Sequence, residues 1–212
     1  MWPPEHEPFR ANCDACPRLA AGLEQLRSSF PDYHCAPVGA WGNRRARLLI
    51  VGLAPGLHGA NRTGRPFTGD SSGETLFAAL ERAGFASRES GPQVRLQDCR
   101  ITNAVRCVPP GNRPATDELR RCRRFLADDI TTLWSPRVRT NRCIVALGGL
   151  AFGSTRKALE VGGRFAHGAA IDVHPRLRLM ASYHPSRLNT NTGRLTTAML
   201  AELFMRARTF LD

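Results

Sequence analysis

No stretch of this 212-residue chain approaches about eighteen apolar residues without a charge, so the sequence predicts no membrane-spanning helix. The N-terminus, MWPPEHEPFRANC, lacks the apolar core of a secretory signal. Lysine is almost missing: of 30 basic residues, only Lys157 is one. Acidic residues are also few, 18 in all, which leaves a net charge of +12. Internal repeats and low-complexity tracts are absent. Together these absences predict a soluble, intracellular, cytoplasmic protein. A bias in genome composition exchanges lysine for arginine but does not make cations outnumber anions, so the charge predicts a polyanion partner, nucleic acid first.

A content of 42% hydrophobic residues is enough for a core, and the length fits one large domain or at most two small ones. Four apolar runs read as strands: 47–55 (RLLIVGLAP), 98–107 (DCRITNAVRC), 141–149 (NRCIVALGG) and 176–185 (RLRLMASYHP). The first and third are apolar on consecutive positions, as in strands covered on both faces. Helical patterns follow at 74–84, 115–134, 149–161 and 195–211. Gly84 is expected to end the first, and Thr116 to cap the second, with Asp117 and Glu118 in its opening turn. Alternating strands and helices predict an α/β fold: a parallel sheet with helices on both faces and ligands at the carboxyl ends of its strands. Segment 1–46 is rich in Pro and Gly. No linker separates it from the rest, so it reads as an appendage of a single domain spanning 1–212.

Seven cysteines are many for an intracellular chain, and an odd number excludes a purely disulfide framework. Cys13 and Cys16 form a Cys-x-x-Cys, and Cys107 and Cys122 lie further on with fourteen residues between them. Four such thiolates suit zinc or a [4Fe–4S] cluster, and the spacing does not separate the two. Cys99 and Cys143 sit in strand contexts and read as core residues, while Cys35 lies in a loop with no evident partner.

Each strand end carries polar cargo. GLAPGLHGANRTGRPFTGDSSG, at 52–73, follows the first strand with Phe67 and Asp70. The second presents Asn103, and the fourth presents His184 before Pro185. Each residue has a plainer reading: Asp70 as a helix cap, Asn103 as a turn residue, His184 and Phe67 as core. In a parallel sheet, however, the three loops converge on one edge. A phosphate-binding reading of the first loop is weakened by three features. It lacks Gly-x-Gly-x-x-Gly spacing and a Gly-Lys-Ser/Thr, and Pro55 removes an N–H.

The set GLAPG, PFTGD, ITNAVRCVPPGNRP and YHPSRLNTNTGRLT, with the four cysteines, resembles the iron–sulfur uracil-DNA glycosylases of bacteria and archaea, family 5 (type B) above all. The likeness runs from Cys13 to about Thr197. It implies an α/β/α sandwich around a four-stranded parallel sheet, and a structural [4Fe–4S] cluster on Cys13, Cys16, Cys107 and Cys122. It implies that Phe67 lies under a flipped base, Asn103 reads the base edge and His184 donates to a base carbonyl. The segment Gly52, Leu53, Ala54 and Gly56 then walls the base pocket. Many members of the superfamily place a polar residue directly after the first glycine of that motif to orient the attacking water. Leu53 has no polar atom for that task, which fits family 5 and passes the role to Asp70.

The resemblance thus predicts a monofunctional glycosylase of base excision repair. It would hydrolyse the N-glycosidic bond of uracil and other deaminated or damaged bases flipped from double-stranded DNA. Arg187 or Leu188 is expected to fill the gap left by the base, and Arg194 to contact phosphate. The protein is expected to be a monomer acting at the prokaryotic nucleoid. Two alternatives remain at this level. A non-catalytic nucleic-acid-binding protein with a structural metal site explains the charge and the cysteines but not the gathered Phe, Asp, Asn and His. A small-molecule nucleosidase has no need of the charge.

Overall fold

The computed structural model describes residues 7–88 and 93–212; the first six residues of the N-terminal segment lie outside it. In chain order the elements are α1 (Pro17–Ser29), β1 (Trp41–Gly42), β2 (Leu48–Gly52), α2 (Ala60–Thr63), α3 (Ser71–Arg82), β3 (Ala86–Arg88), β4 (Val94–Leu96) and β5 (Cys99–Asn103). There follow α4 (Thr116–Leu133), β6 (Arg142–Leu147), α5 (Gly149–Ala158), β7 (Ala170–His174), β8 (Leu177–Ser182), α6 (Arg187–Asn191) and α7 (Thr197–Leu211).

Among the described residues the main sheet has six strands in the order β1-β5-β2-β6-β8-β7. The inner four, β5, β2, β6 and β8, are parallel and are the four expected strands. The sheet is wider than expected because β1 and β7 add antiparallel edges. These edge strands left little trace in the sequence. The first is two residues long, and the second, AIDVH, packs on one side only. A separate ribbon pairs β3 with β4.

Alternation along the inner strands divides the core in two. Leu48 and Ile50 of β2 join Leu76, Leu80, Leu200 and Phe204 under α3 and α7. Leu49 and Val51 join Leu126, Ile130 and Phe152 under α4 and α5. All four of these β2 side chains are buried, so the strand reads as continuously apolar. The chain leaves β2 towards β5 and leaves β6 towards β8, opposite directions that open a crevice at the strand ends.

Several helix boundaries differ from expectation; α5 ends at Ala158 rather than 161, and α7 starts at Thr197 rather than 195. The cap of α4 is Ala115, not Thr116; the Glu118 carboxylate accepts the Ala115 N–H at 2.7 Å, so the acid three residues on does the capping. Helix α3 starts at Ser71, earlier than expected, because Asp70 caps it. Segment 1–46 also contains a full helix, α1, with Pro17 in its first turn. No described helix is long and apolar enough to cross a membrane.

Candidate active site

The strand-end crevice holds one pocket that collects the predicted polar residues. Phe67, Asp70, Asn103 and His184 line it, with Ala54 and Gly56 of the glycine-rich loop. Ala60 and Ser72 complete the wall. These last two do not stand out in the sequence. The only hint is the serine pair directly after Asp70.

Register explains how Asn103 and Phe67 meet. Gly52 and Asn103 are partners at the end of the β2–β5 ladder. A side chain on Gly52 would overlap the Asn103 amide and stand 2.6 Å from Cε2 of Phe67. Glycine therefore lets the ring lie against the strand end. Phe67 adopts φ +54°, a left-handed conformation uncommon for a bulky residue. Gly73, with no Cβ, accommodates the Phe67 carbonyl against the first turn of α3. Phe67 is buried in the α3–α7 core, as its plainer reading has it, and also lines the pocket.

The two carboxylate oxygens of Asp70 sit in different surroundings. Oδ1 accepts the Gly73 N–H at 2.9 Å and caps α3. Oδ2 faces Gly56 and Gly59. The capping bond fixes the carboxylate, and its second oxygen stays available at the pocket wall.

His184 arrives from the end of β8. Its ring stacks on Phe67 at 5.8 Å between centroids and 29° between planes. The Asn189 amide donates to its carbonyl at 2.8 Å and holds the turn into α6. Burial drives the imidazole pKa below its ordinary value, and the negative charge of Asp70 opposes this only partly. The side chain is therefore a neutral imidazole at neutral pH, able to donate one hydrogen bond.

Not every expected residue lines the pocket. Leu53 is half-buried and is not part of the wall; its carbonyl accepts the Val105 N–H at 2.9 Å and ties the loop to the segment after β5. Arg187, Leu188 and Arg194 lie outside the wall too. Arg187 Nε donates to the Ser71 hydroxyl at 3.1 Å, beside the Asp70 cap. Leu188 is 74% exposed, a large apolar side chain standing clear of the surface near the pocket. The Arg194 guanidinium lies 4.4 Å over the Tyr183 ring.

The four paired cysteines come together elsewhere. Cys13, Cys16, Cys107 and Cys122 line one hollow with Leu19 and Phe125. Burial, the largest cause, and the neighbouring thiols push Cys107 up to about 12. Burial likewise raises Cys122 to about 11, against the opposing Arg106. Among the described residues no three of His, Cys, Asp and Glu are grouped to hold a metal ion. Cys99 and Cys143 are core residues as expected, and burial pushes Cys143 up to about 12. Cys35 does have a partner, the Asn61 amide at 3.5 Å from its sulfur.

Sequence reasoning missed Arg106. It is 1% exposed and makes an ion pair with Asp129, donates to the Thr102 hydroxyl, and donates to the Phe125 carbonyl at 3.2 Å. Its backbone N–H points at Cys122 Sγ at 3.3 Å. A buried arginine looks from sequence like any other surface cation.

A crevice at parallel strand ends with an aromatic ring, an amide, a half-buried imidazole and a fixed carboxylate suits a planar heterocycle bearing amide-like edges. The profile of the Uracil DNA glycosylase superfamily matches residues 40–208, and the chain belongs to that superfamily, the hydrolases of N-glycosyl bonds. It is 43% identical over 210 residues to the type-5 uracil-DNA glycosylase of Mycobacterium tuberculosis, covering 92% of this chain and 77% of that protein. Identity to the type-5 uracil-DNA glycosylase of Thermus thermophilus is also 43%, covering 92% of each chain. The type-4 uracil-DNA glycosylase of Thermotoga maritima is less similar, 33% identical over 171 residues with 80% of each chain covered.

Proposed function

We propose that this chain is a monofunctional uracil-DNA glycosylase of base excision repair that takes uracil and other deaminated or damaged bases from double-stranded DNA. The observation that carries the reading is the meeting of Phe67, Asp70, Asn103 and His184 in one pocket. The target nucleotide must leave the stack at a cost of a few kcal/mol, least for a mispaired base. Phe67 supplies a stacking surface worth about 1–3 kcal/mol. Asn103 offers a donor and an acceptor to the amide edge of the base.

Bond breaking leaves positive charge on the sugar and negative charge on the departing base. A neutral His184 donates to the base carbonyl as that charge grows, a contribution of roughly 3–4 kcal/mol in comparable sites. Asp70 Oδ2 stabilises the sugar cation or orients the water that adds to it. The water's hydroxyl joins the sugar carbon and its proton goes to the base, so the products are an abasic site and a free base. Exposed Leu188 is the stronger candidate to fill the vacated stack, with Arg187 beside it, and Arg194 contacts phosphate. Apolar Leu53 in place of a water-binding residue supports the breadth of bases accepted.

A structural [4Fe–4S] cluster on Cys13, Cys16, Cys107 and Cys122 belongs to this reading. The donor set fits: four free thiols line one apolar hollow. Arg106 lines the same hollow and its Nε is buried without an acceptor, and the sulfides of such a cluster accept hydrogen bonds. The cluster would fasten α1 and its flanks to the loop before α4, offsetting the entropy of ordering both. A single domain over 1–212, a monomeric state and a cytoplasmic, nucleoid-associated place of action complete the proposal.

The test is a gel assay on duplex oligonucleotides carrying one uracil. An abasic product that breaks only after alkali supports the proposal. Binding without product identifies a non-catalytic binder, and release of base from free nucleosides identifies a nucleosidase. A panel of hypoxanthine, hydroxymethyluracil and ethenocytosine duplexes measures the breadth.

A further inference from the structure

Away from the pocket, α4 and α5 bound a groove of about 680 Å³ that shares no residue with the Asp70 site. Five cations face it, Arg120, Arg121, Arg123 and Arg124 from α4 and Lys157 from α5, against one acid, Glu160. Two of the five are engaged. Arg124 pairs with Glu7 at 3.1 Å, and Arg121 pairs with Asp117 at 3.4 Å and donates to the Ala15 carbonyl. Arg120, Arg123 and Lys157 have no ion pair among the described residues. Arg123 is half-buried, and its Nε is buried with no hydrogen-bond partner.

Such a cluster works against the fold. Arg120 and Arg123 are neighbours one turn apart on a helix, where like charges repel. An anion in the groove relieves this repulsion and offers an acceptor to the orphaned Arg123 Nε, and guanidinium forks match the paired oxygens of a phosphate. The +12 net charge favours a polyanion over a single ion.

We propose that the α4–α5 groove binds the phosphate backbone of undamaged DNA, separately from the stretch whose base enters the pocket. The choice of DNA over other polyanions rests on the glycosylase reading. The groove lies on the α4–α5 flank of the sandwich and the pocket at the strand ends, so the two surfaces hold different backbone segments. Such an arrangement keeps the enzyme on DNA while the pocket is empty.

Fluorescence anisotropy of the full-length protein with a uracil-free duplex several turns long, titrated with salt, tests this. For R120Q/R123Q/K157Q, affinity at low salt is expected to fall at least about tenfold, and the log–log salt slope to flatten by about 2–3. The rate of uracil release from a short oligonucleotide at saturating enzyme is expected to stay at the wild-type value. Unchanged affinity and slope overturn the proposal, including the outcome in which an acidic protein is the true occupant. If the triple variant fails to fold, R120Q/K157Q alters only exposed side chains; its slope is expected to flatten by about 2, and an unchanged slope overturns the proposal equally. A wild-type protein that binds this duplex through the groove but releases no uracil from the short oligonucleotide would contradict the glycosylase reading and leave the groove standing.

Discussion

A methyl group on Gly59 would overlap Oδ2 of Asp70. The glycine-rich loop therefore needs glycine here for a reason of space, because the carboxylate oxygen at the pocket wall occupies the volume of the absent Cβ. Gly59→Ala is expected to displace Asp70, slow base release by about 10–100-fold and loosen the α3 cap by about 1 kcal/mol. Gly22, inside α1, is the contrast: a methyl group there would meet nothing within 4 Å. Gly22→Ala is expected to raise stability by about 0.5–1 kcal/mol and leave the rate unchanged. Urea unfolding and single-turnover release measure both.

Burial of His184 gives a signed pH dependence. Its pKa lies below the ordinary 6.5, so between the two values the unfolded chain binds more protons than the folded one. Stability contributed by this group is thus lost as pH falls through 6.5 towards the folded value, and levels off below it. Release that needs the neutral imidazole is expected to stay flat from pH 8 to below 6.5 and to fall only in more acid solution. A kcat/KM profile with its acid limb at or above 6.5 would show that the ring is not neutral. In His184→Gln, which retains a donor but cannot titrate, this acid limb is expected to disappear.

Phe67 packs in the core and lines the pocket, so alanine there would confuse two effects. Truncation to alanine is expected to lose about 3–5 kcal/mol of stability. Phe67→Leu keeps most of the apolar volume and is expected to cost about 1–2 kcal/mol while weakening base stacking by about 1–3 kcal/mol. Thermal melts beside rates at saturating and subsaturating DNA separate the two. A leucine variant with wild-type release would remove the aromatic ring from base binding.

Arg106 holds Asp129 inside the α4 face, and Thr102 donates to the same carboxylate at 2.6 Å. Arg106→Met leaves that buried carboxylate without its main partner, with Arg100 no nearer than 3.6 Å. A loss of about 3–5 kcal/mol is expected in urea unfolding. Iron content and visible absorbance near 400 nm, roughly where iron–sulfur proteins absorb, are expected to fall in parallel, because Arg106 also lines the cysteine hollow. Full stability in the methionine variant would contradict the role of the ion pair.

The readable parts of this protein are those with a period or a spacing. The four inner strands show as apolar runs because both of their faces are covered, and α3, α4, α5 and α7 show through their apolar stripes. Phe67, Asp70, Asn103 and His184 are legible because a parallel sheet brings its strand ends to one edge. β1 and β7 are not, since an edge strand needs only one covered face. Helix α1 is hidden in a segment that reads as Pro- and Gly-rich. Arg106 escapes because burial of an arginine depends on a partner, Asp129, twenty-three residues away in sequence. Asp70 reads from sequence as either a cap or a site residue; in the structure Oδ1 caps α3, and the residue also lines the pocket.

The most direct test of the account is the single-turnover rate of uracil release from a duplex by wild type and Asp70→Asn. The asparagine side-chain oxygen still accepts the Gly73 N–H, so helix capping and stability are expected to hold within about 1 kcal/mol. Only the charge at the pocket wall is lost. The account predicts DNA binding near the wild-type level with release slowed by about 10²–10⁴-fold. Release at the wild-type rate from a stably folded Asp70→Asn protein would contradict it.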